Sequence, residues 1–347
     1  MASEPHATAG ATGAGPWRLA VRRLRRNPVA LGFGALLVLI VLFVLAAPLW
    51  AEHVAGTGPN ETHTLERVEV DGEAREVVDV EGRPVGPLWL GAGGRFFLGA
   101  DGRLGRDEMV RLMYGGRASL FVGFAAALLS TALATVLALL AGYYRGWVDG
   151  AISRALDVIW AFPVYLLAIA LGIALALGGL RLGPLEIPAG SIWLTVLIIA
   201  GVYVPYVARP LRGAVLSLRE KEYVEAAVAQ GAGPLRVMFG ELLPNLASTI
   251  VVLFTLGVAN AMLLEAGLSF LGVGVQPPDT SWGSMVGDGF DLISSAPLLT
   301  ILPGAMIFLT VLAVNVLGDG LRDALDPRSK LRLEAHAGVA EPEGTAV

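Results

Sequence analysis

The sequence predicts an all-α, polytopic membrane protein with six transmembrane helices. Three observations carry that reading: six long apolar runs, too few charges to coat a soluble surface, and arginines gathered on alternate loops. Of the 347 residues 55% are hydrophobic and 16% charged, with a mean hydropathy of +0.66; an ordinary soluble domain carries about 25% charged residues. A helix of about 20 apolar residues crosses a hydrocarbon core of about 30 Å. Runs of that kind occupy 29–49, 118–143, 152–177, 192–210, 247–271 and 298–317, and none alternates in the manner of a barrel strand.

The positions of Lys and Arg orient the six spans. Arg18, Arg22, Arg23, Arg25 and Arg26 precede the first span and hold the N-terminus in the cytoplasm. Six crossings return the C-terminus to the same side, where Arg322, Arg328, Lys330 and Arg332 agree. The loop between spans four and five carries Arg209, Arg212, Arg219, Lys221 and Arg236 and falls inside. Loop 272–297 carries Asp279, Asp288 and Asp291 without a single Lys or Arg and falls outside. The long loop 50–117 holds eight arginines beside twelve acidic residues; loops of that length translocate largely regardless of charge. The first apolar run is too long for a signal-peptide core and lacks a clean small-x-small cleavage site after it. The chain thus divides into a cytoplasmic tail (1–28), a first helix (29–49), an extracytoplasmic loop (50–117), a five-helix core (118–318) containing a cytoplasmic loop (211–246), and a second cytoplasmic tail (319–347).

Several chemistries are excluded by composition. There is no cysteine, hence no disulfide, thiol nucleophile or thiolate metal site. His6, His53, His63 and His336 lie outside the apolar runs and form no ligand-spaced pair, so no metal site is expected. No Gly-x-x-x-x-Gly-Lys-[Ser/Thr] loop is present to cradle a nucleotide phosphate. No catalytic centre or cofactor is expected, and the surroundings are lipid, not nucleic acid. Within the outer loop, 65–70 and 74–80 alternate around Asp71-Gly72, the pattern of a small β-hairpin. Met109, Val110, Leu112 and Met113 suit a short helix over 105–114 lying along the outer interface before span two. Residues 1–16 have no apolar period and predict disorder.

The loop between spans four and five is the most informative stretch. Ser217 and Glu220 stand at capping-box spacing. Helix-favouring residues run on to Gln230, Gly231 is placed to end the helix in the left-handed region, and Gly233-Pro234 opens a second helix. Pro244 ends or kinks that second helix before span five. Ala226, Ala227 and Ala229 leave a low surface on which a partner can dock closely. On local physics alone a solvated connector whose glycines merely serve turns fits equally well.

Glu225-Ala226-Ala227, Gly231 and Leu243-Pro244 stand at the spacing of the EAA loop of permease subunits of bacterial ABC importers. Other segments join it: Leu98-Gly99, Asp101 and Gly105-Arg106-Asp107 before span two; Ala161-Phe162-Pro163 in span three; 265–278 with Ser281-Trp282-Gly283 after span five; and 315–328 at the end of span six. Together these resemble the C-type permease subunit of the dipeptide/oligopeptide/nickel importer family over about 98–328. The first span fits that family less distinctively, and 57–87 matches no recognised pattern. Glu241 departs from the family, which prefers an apolar residue there. The resemblance implies a type I ABC importer permease fold in the bacterial inner membrane. It implies half of a translocation path, completed by a second, homologous permease, two ATPase subunits and an extracytoplasmic binding protein. It also implies coupling to the ATPase through Arg219, Tyr223, Glu225, Ala226, Ala227, Gly231, Gly233 and Pro234. Peptides, nickel complexes or another small solute are the cargoes in view.

Intramembrane polar residues each need a reason, because a central charge costs about 2.5–3.5 kcal/mol on insertion scales. Asn260 and Glu265 point about 140° apart on one helix and cannot both face a narrow pore. Glu265 is expected either at the path or outer gate, with Asn260, Gly267 and Ser269, or in a structural pair within the permease dimer. Asp157 is expected to pair with Arg154 or Arg145, and Ser130, Thr131 and Thr135 to pack helices. An ion-coupled secondary transporter predicts buried acid–base relays and an inverted repeat, and the sequence offers one strong membrane acid and no repeat. A membrane-anchored enzyme with its site in loop 50–117 is the third reading; the carboxylates there follow a strand-like alternation typical of a solvated surface.

Overall fold

The computed structural model describes residues 21–70, 73–89 and 94–325. Long helices follow from the apolar runs. α1 (Pro28–Leu45) starts with proline at its first position, and the Asn27 side chain accepts from the Ala30 amide at 3.1 Å. A short α2 (Ala47–Trp50) runs into a π-helical turn, Ala51–Ala55. Then follow the hairpin β1 (Arg67–Val70) and β2 (Glu73–Glu76), α3 (Glu108–Tyr144), α4 (Gly146–Trp160), α5 (Val164–Ala176), and a second hairpin, β3 (Leu180–Leu182) and β4 (Leu185–Ile187). α6 (Ile192–Arg219), α7 (Glu222–Ala229) and the short α8 (Pro234–Arg236) come next. Last are a π-helical stretch Val237–Leu242, α9 (Leu243–Phe270), α10 (Trp282–Phe290) and α11 (Leu298–Leu325). α3, α6 and α9 form the packed centre, with α1 against α11 on one flank and α5 against α6 on the other. Arg23 donates to the Ala324 carbonyl at 3.4 Å, which puts the two ends of the described chain at the same end of the bundle.

Among the described residues five helices are long and apolar enough to cross a membrane alone, and α4 with α5, a pair bent by 86°, makes a sixth if the two form one span. The third span expected over 152–177 is therefore an elbow, bent at Pro163 as a proline there implies. Pro163 stands just ahead of α5 and has no amide to continue α4, and the residue before a proline is driven out of the helical region.

Other boundaries move outward for packing reasons. The separate interfacial helix expected over 105–114 is the first part of α3. Gly115-Gly116 does not break it, because these glycines admit close neighbours: a Cβ at Gly116 would stand 2.6 Å from the Trp282 ring. α6 continues past Pro210 to Arg219, so Ser217 lies inside a helix and the expected capping box is not formed. Val215 is fully buried there, and Glu220, free of the cap, pairs with Arg145 at 2.6 Å. Pro244 does not end its helix either; the wider π-helical turn precedes it, where a missing amide is accommodated. α11 runs beyond 317 because Gly318 and Gly320 let Thr255 and Ala30 approach.

The first hairpin forms where expected but with shorter strands than 65–70 and 74–80, Val70 standing opposite Glu73; the turn residues Asp71-Gly72 lie outside the described residues, as does the tail 1–16. The second hairpin was not anticipated, although Gly183-Pro184 carried the signal: Gly183 adopts φ +58° at the first turn position. α10 was read as loop. Ser281 caps it by accepting from the Ser284 amide, and Ser284 returns the bond to the Ser281 amide.

At the hairpin end of the bundle Asp101, Arg106, Arg111 and Asp288 form a knot. Arg111 donates to Asp101 (2.5 Å), Asp288 (3.0 Å) and Thr280 (3.1 Å), and Arg106 to Asp101 (2.6 Å). It ties the long loop, the first turn of α3 and α10 together. Burial pushes the Asp101 carboxyl up, but Arg111 and then Arg106 outweigh burial and hold it below the usual range. Asp101→Asn should destabilise by about 3 kcal/mol, the low end for breaking a buried pair, since Asp288 remains. The Asp101 contribution is present above its unfolded value of about 3.9 and is lost as pH falls through the depressed folded value. The thermal midpoint of the wild type in detergent should therefore fall more steeply than that of the variant below about pH 4. Parallel slopes would contradict this assignment.

Candidate functional site

Three features stand out: a helix–turn–helix at the end of α6, an aromatic and polar face on α4–α6 and α9, and a buried carboxylate behind that face. The helix–turn–helix is built by glycine and proline where their backbone is needed. Gly231 adopts φ +85°; its amide bonds to the Val228 carbonyl (2.9 Å) and the Ala232 amide to the Ala227 carbonyl (3.0 Å), a complete Schellman stop. Gly233 then caps α8, with Pro234 at its first position. Val224 is the one fully buried residue of α7 and packs with Leu139, Val215, Val237, Met238, Leu242 and Leu246. Glu225, Ala226, Gly231, Gly233 and Pro234 are exposed, Ala227 is half-buried, and Tyr223 is 38% exposed. The Tyr223 phenol is pushed up from its ordinary value by burial and then by Glu241, so it remains a donor at neutral pH. Arg219 sits at the base of the adjoining cleft with its guanidinium 5.5 Å from the Tyr143 ring, and its buried Nη1 has no hydrogen-bond partner among the described residues. Glu241 lies in the π-helical turn, where its carbonyl accepts from Asn245 at 2.7 Å.

α9 sorts its polar residues onto opposite faces, as the angle between them requires. Asn260, Leu263 and Phe270 are exposed and Gly267 is half-buried on one side; Glu265 and Ser269 are buried on the other. Beside Asn260 runs a line of large side chains that was not singled out from sequence. The Tyr203 hydroxyl donates to the Asn260 carbonyl at 3.2 Å. Tyr203 meets Tyr206 at 5.5 Å, Tyr206 lies 4.3 Å from Trp160, and Arg209 covers Trp160 at 4.3 Å while pairing with Asp157 at 2.6 Å. Asp157 thus takes Arg209 in place of the expected Arg154 or Arg145. Tyr165 rests on Gly267, where a Cβ would come within 2.9 Å of its ring. The elbow at 161–163 brings Trp160 and Tyr165 to this face, and the spacing Tyr203-x-x-Tyr206-x-x-Arg209 was its signal in the sequence.

Glu265 is 1% exposed and has no cation against it among the described residues. It accepts from the Ser269 hydroxyl (2.6 Å) and the Ser119 hydroxyl (3.0 Å). Each serine in turn accepts a backbone amide from the loop that follows α9: Val275 to Ser269 at 3.0 Å and Trp282 to Ser119 at 3.1 Å. The carboxylate therefore fixes that loop through two relays and joins α3 to α9. So enclosed, it does not face an open path in this conformation. Ser130 and Thr135 return their hydroxyls to the Ala127 and Thr131 carbonyls, in keeping with packing roles. Glu265→Leu should strand both serines and cost about 1–3 kcal/mol, read as faster hydrogen exchange at Val275 and Trp282. Glu265→Gln, which keeps one acceptor, should exchange more slowly than Glu265→Leu; identical exchange in both variants and the wild type would contradict the relay.

Comparison with known proteins adds the family. Residues 134–331 match the model for binding-protein-dependent transport system inner membrane components, and 15–63 match the N-terminal transmembrane domain of oligopeptide transport permease C. The second match covers the first span, which carries little that is distinctive on inspection. The dipeptide transport system permease protein DppC of Alkalihalophilus pseudofirmus is 39% identical over 319 residues, 92% of each chain. The glutathione transport system permease protein GsiD of Pectobacterium atrosepticum is 37% identical over 315 residues, 91% of this chain and 92% of its own. A chain of the methionine ABC transporter MetNI, in an inward-facing conformation, superposes with a TM-score of 0.50 at 16% identity. It covers 62% of this chain and 96% of its own, a likeness of fold alone. The chain belongs to the family of binding-protein-dependent transport system inner membrane components, as a C-type permease subunit of an ABC importer.

Proposed function

We propose that this subunit forms half of a translocation path for short peptides and receives the ATPase stroke through α7. The family brings an ATP-hydrolysing partner and a substrate-binding partner; a second, homologous permease completes the path as a heterodimer. The observation that carries the reading is the continuity of α6. It bears Tyr203, Tyr206 and Arg209 on one stretch, continues to Arg219 and meets α7 two residues later. Over about 24 Å, from Tyr203 to Arg219, a single helix links the aromatic face to the helix–turn–helix. Val224, buried against α3, α6 and α9, clamps α7 to that helix.

In this reading Glu225, Ala226, Ala227, Gly231, Gly233, Pro234 and Tyr223 present the docking surface, and Arg219 lines the cleft beside it. The path is lined by Asn260, Gly267 and the tyrosines, while Glu265 and Ser269 support the outer gate from behind by holding its loop. Both termini and the helix–turn–helix face the cytoplasm, and the hairpins and α10 lie outside, as the arginine distribution favours. The peptide substrate is supported by the dipeptide and glutathione permeases among the relatives.

The complete importer in proteoliposomes should accumulate a labelled dipeptide only with ATP inside and the binding protein outside. Accumulation without ATP would overturn the reading in favour of an ion-coupled carrier. Gly231→Val meets no neighbour within 4 Å, so its cost comes from the left-handed backbone alone, about 1–3 kcal/mol of local strain. The assembled complex should keep its yield but lose most binding-protein-stimulated ATP hydrolysis; unchanged stimulation would contradict the docking assignment. Because the chain has no cysteine, single cysteines introduced at Glu69 and Glu222 test the orientation. An impermeant reagent applied to intact cells should label the first position and not the second, and the reverse pattern would invert the topology.

A further inference from the structure

The Asp157–Arg209 pair differs from the knot at the hairpin end. Arg111 and Asp101 are buried and serve the fold, whereas Asp157 is 51% and Arg209 38% exposed, and the pair lies on the aromatic face. The only hydrogen bond of Arg209 among the described residues is the one to Asp157, so most of its five donors remain open. Trp160 lies under the guanidinium at 4.3 Å and fixes its plane. Pro210 has no amide, so the Tyr206 carbonyl one turn above loses its helical donor and is left as a further acceptor.

Tyr, Trp and Arg also gather at membrane interfaces as anchors. Two facts separate this group from such a belt. The same face continues up α6 to Tyr203, about 17 Å along the axis from Ile192, near the middle of a hydrocarbon core of about 30 Å. There Tyr203 stands beside Asn260 on α9, a pair with no place against lipid tails. The face is therefore built for water or for a polar cargo along its length, and Asp157 and Arg209 close its far end, about 26 Å from Ile192.

We infer that Asp157 and Arg209 form a docking station for the two charged termini of a short peptide, Arg209 taking the α-carboxylate and Asp157 the α-ammonium. This rests on the peptide reading above. The pair supplies one charge of each sign side by side, and an extended dipeptide spans at most about 7 Å, within reach of two neighbouring long side chains. A zwitterion exchanges one ion pair for two without leaving either side chain unpaired, and Asp157 and Arg209 re-form their own bond on release. A peptide with one end capped satisfies only one of them.

The test uses the complete importer in proteoliposomes, with alanyl-alanine, its C-terminal amide and its N-acetyl form as probes. Binding of each probe to the binding protein is measured separately. Arg209→Gln should lower uptake of the free dipeptide and of the N-acetyl form about ten-fold and leave the amide unchanged. Asp157→Asn should lower the free dipeptide and the amide and spare the N-acetyl form. Arg209→Lys, which keeps the charge, should restore part of the loss. Equal losses for all three probes, or lost assembly in Arg209→Gln and Arg209→Lys alike, would reduce the pair to a structural or interfacial anchor and overturn the proposal. Unchanged uptake in both variants would overturn it too. If the wild-type importer moves another solute with ATP but none of the three probes, the peptide reading itself fails and the docking station falls with it.

Discussion

Inside a bilayer a polar side chain must be satisfied by its own protein or face water, since the hydrocarbon offers no hydrogen-bonding partner. That constraint orders the centre of this molecule. On α9 it sends Glu265 and Ser269 inward, where the Ser269 and Ser119 hydroxyls donate to the carboxylate and themselves accept the Val275 and Trp282 amides, and it leaves Asn260 and Gly267 on the other side beside Tyr203 and Tyr165. The buried side is closed to solvent and fixes a loop. The exposed side carries hydroxyls, an amide and an ion pair.

The same separation of tasks recurs at the two ends of the bundle. At the hairpin end, Arg111 with Asp101 and Asp288 locks the long loop to α3 and α10, so that this end behaves as one piece. At the other end a single buried side chain, Val224, joins α7 to the core while most of the helix–turn–helix remains uncovered. A partner that pulls on α7 acts on α6 through Val224 and the two-residue link. α6 in turn carries Tyr203, Tyr206 and Arg209. Proline at 205 and 210 removes two backbone hydrogen bonds from that helix, those to the Gly201 and Tyr206 carbonyls, which places its most compliant stretch at the aromatic face itself.

Much of this was legible from residue types and spacing. Gly231, Gly233 and Pro234 demanded one backbone each and obtained it, and the angle between Asn260 and Glu265 foretold opposite fates. Boundaries were less legible because packing decides them. Spans two and six were expected to begin at 118 and end at 317, yet Gly115, Gly116, Gly318 and Gly320 are contact points in space and α3 and α11 run through them. Ser217 and Glu220 have capping-box spacing, but a buried Val215 and the Arg145 pair outweigh a cap. Asp157 has arginines near it in sequence, and its partner comes from another helix. The serine relays of Glu265 were hidden for the same reason, since Ser119 and Trp282 are distant along the chain.

The central claim is that one face of α9 is wet and the other dry. Single cysteines along this helix in the otherwise cysteine-free chain, probed in the assembled importer with a water-soluble thiol reagent, read it directly. The account predicts reaction at positions 260 and 263 and protection at 264, 265 and 268. Protection at 260 and 263, or ready reaction at 265, would contradict it.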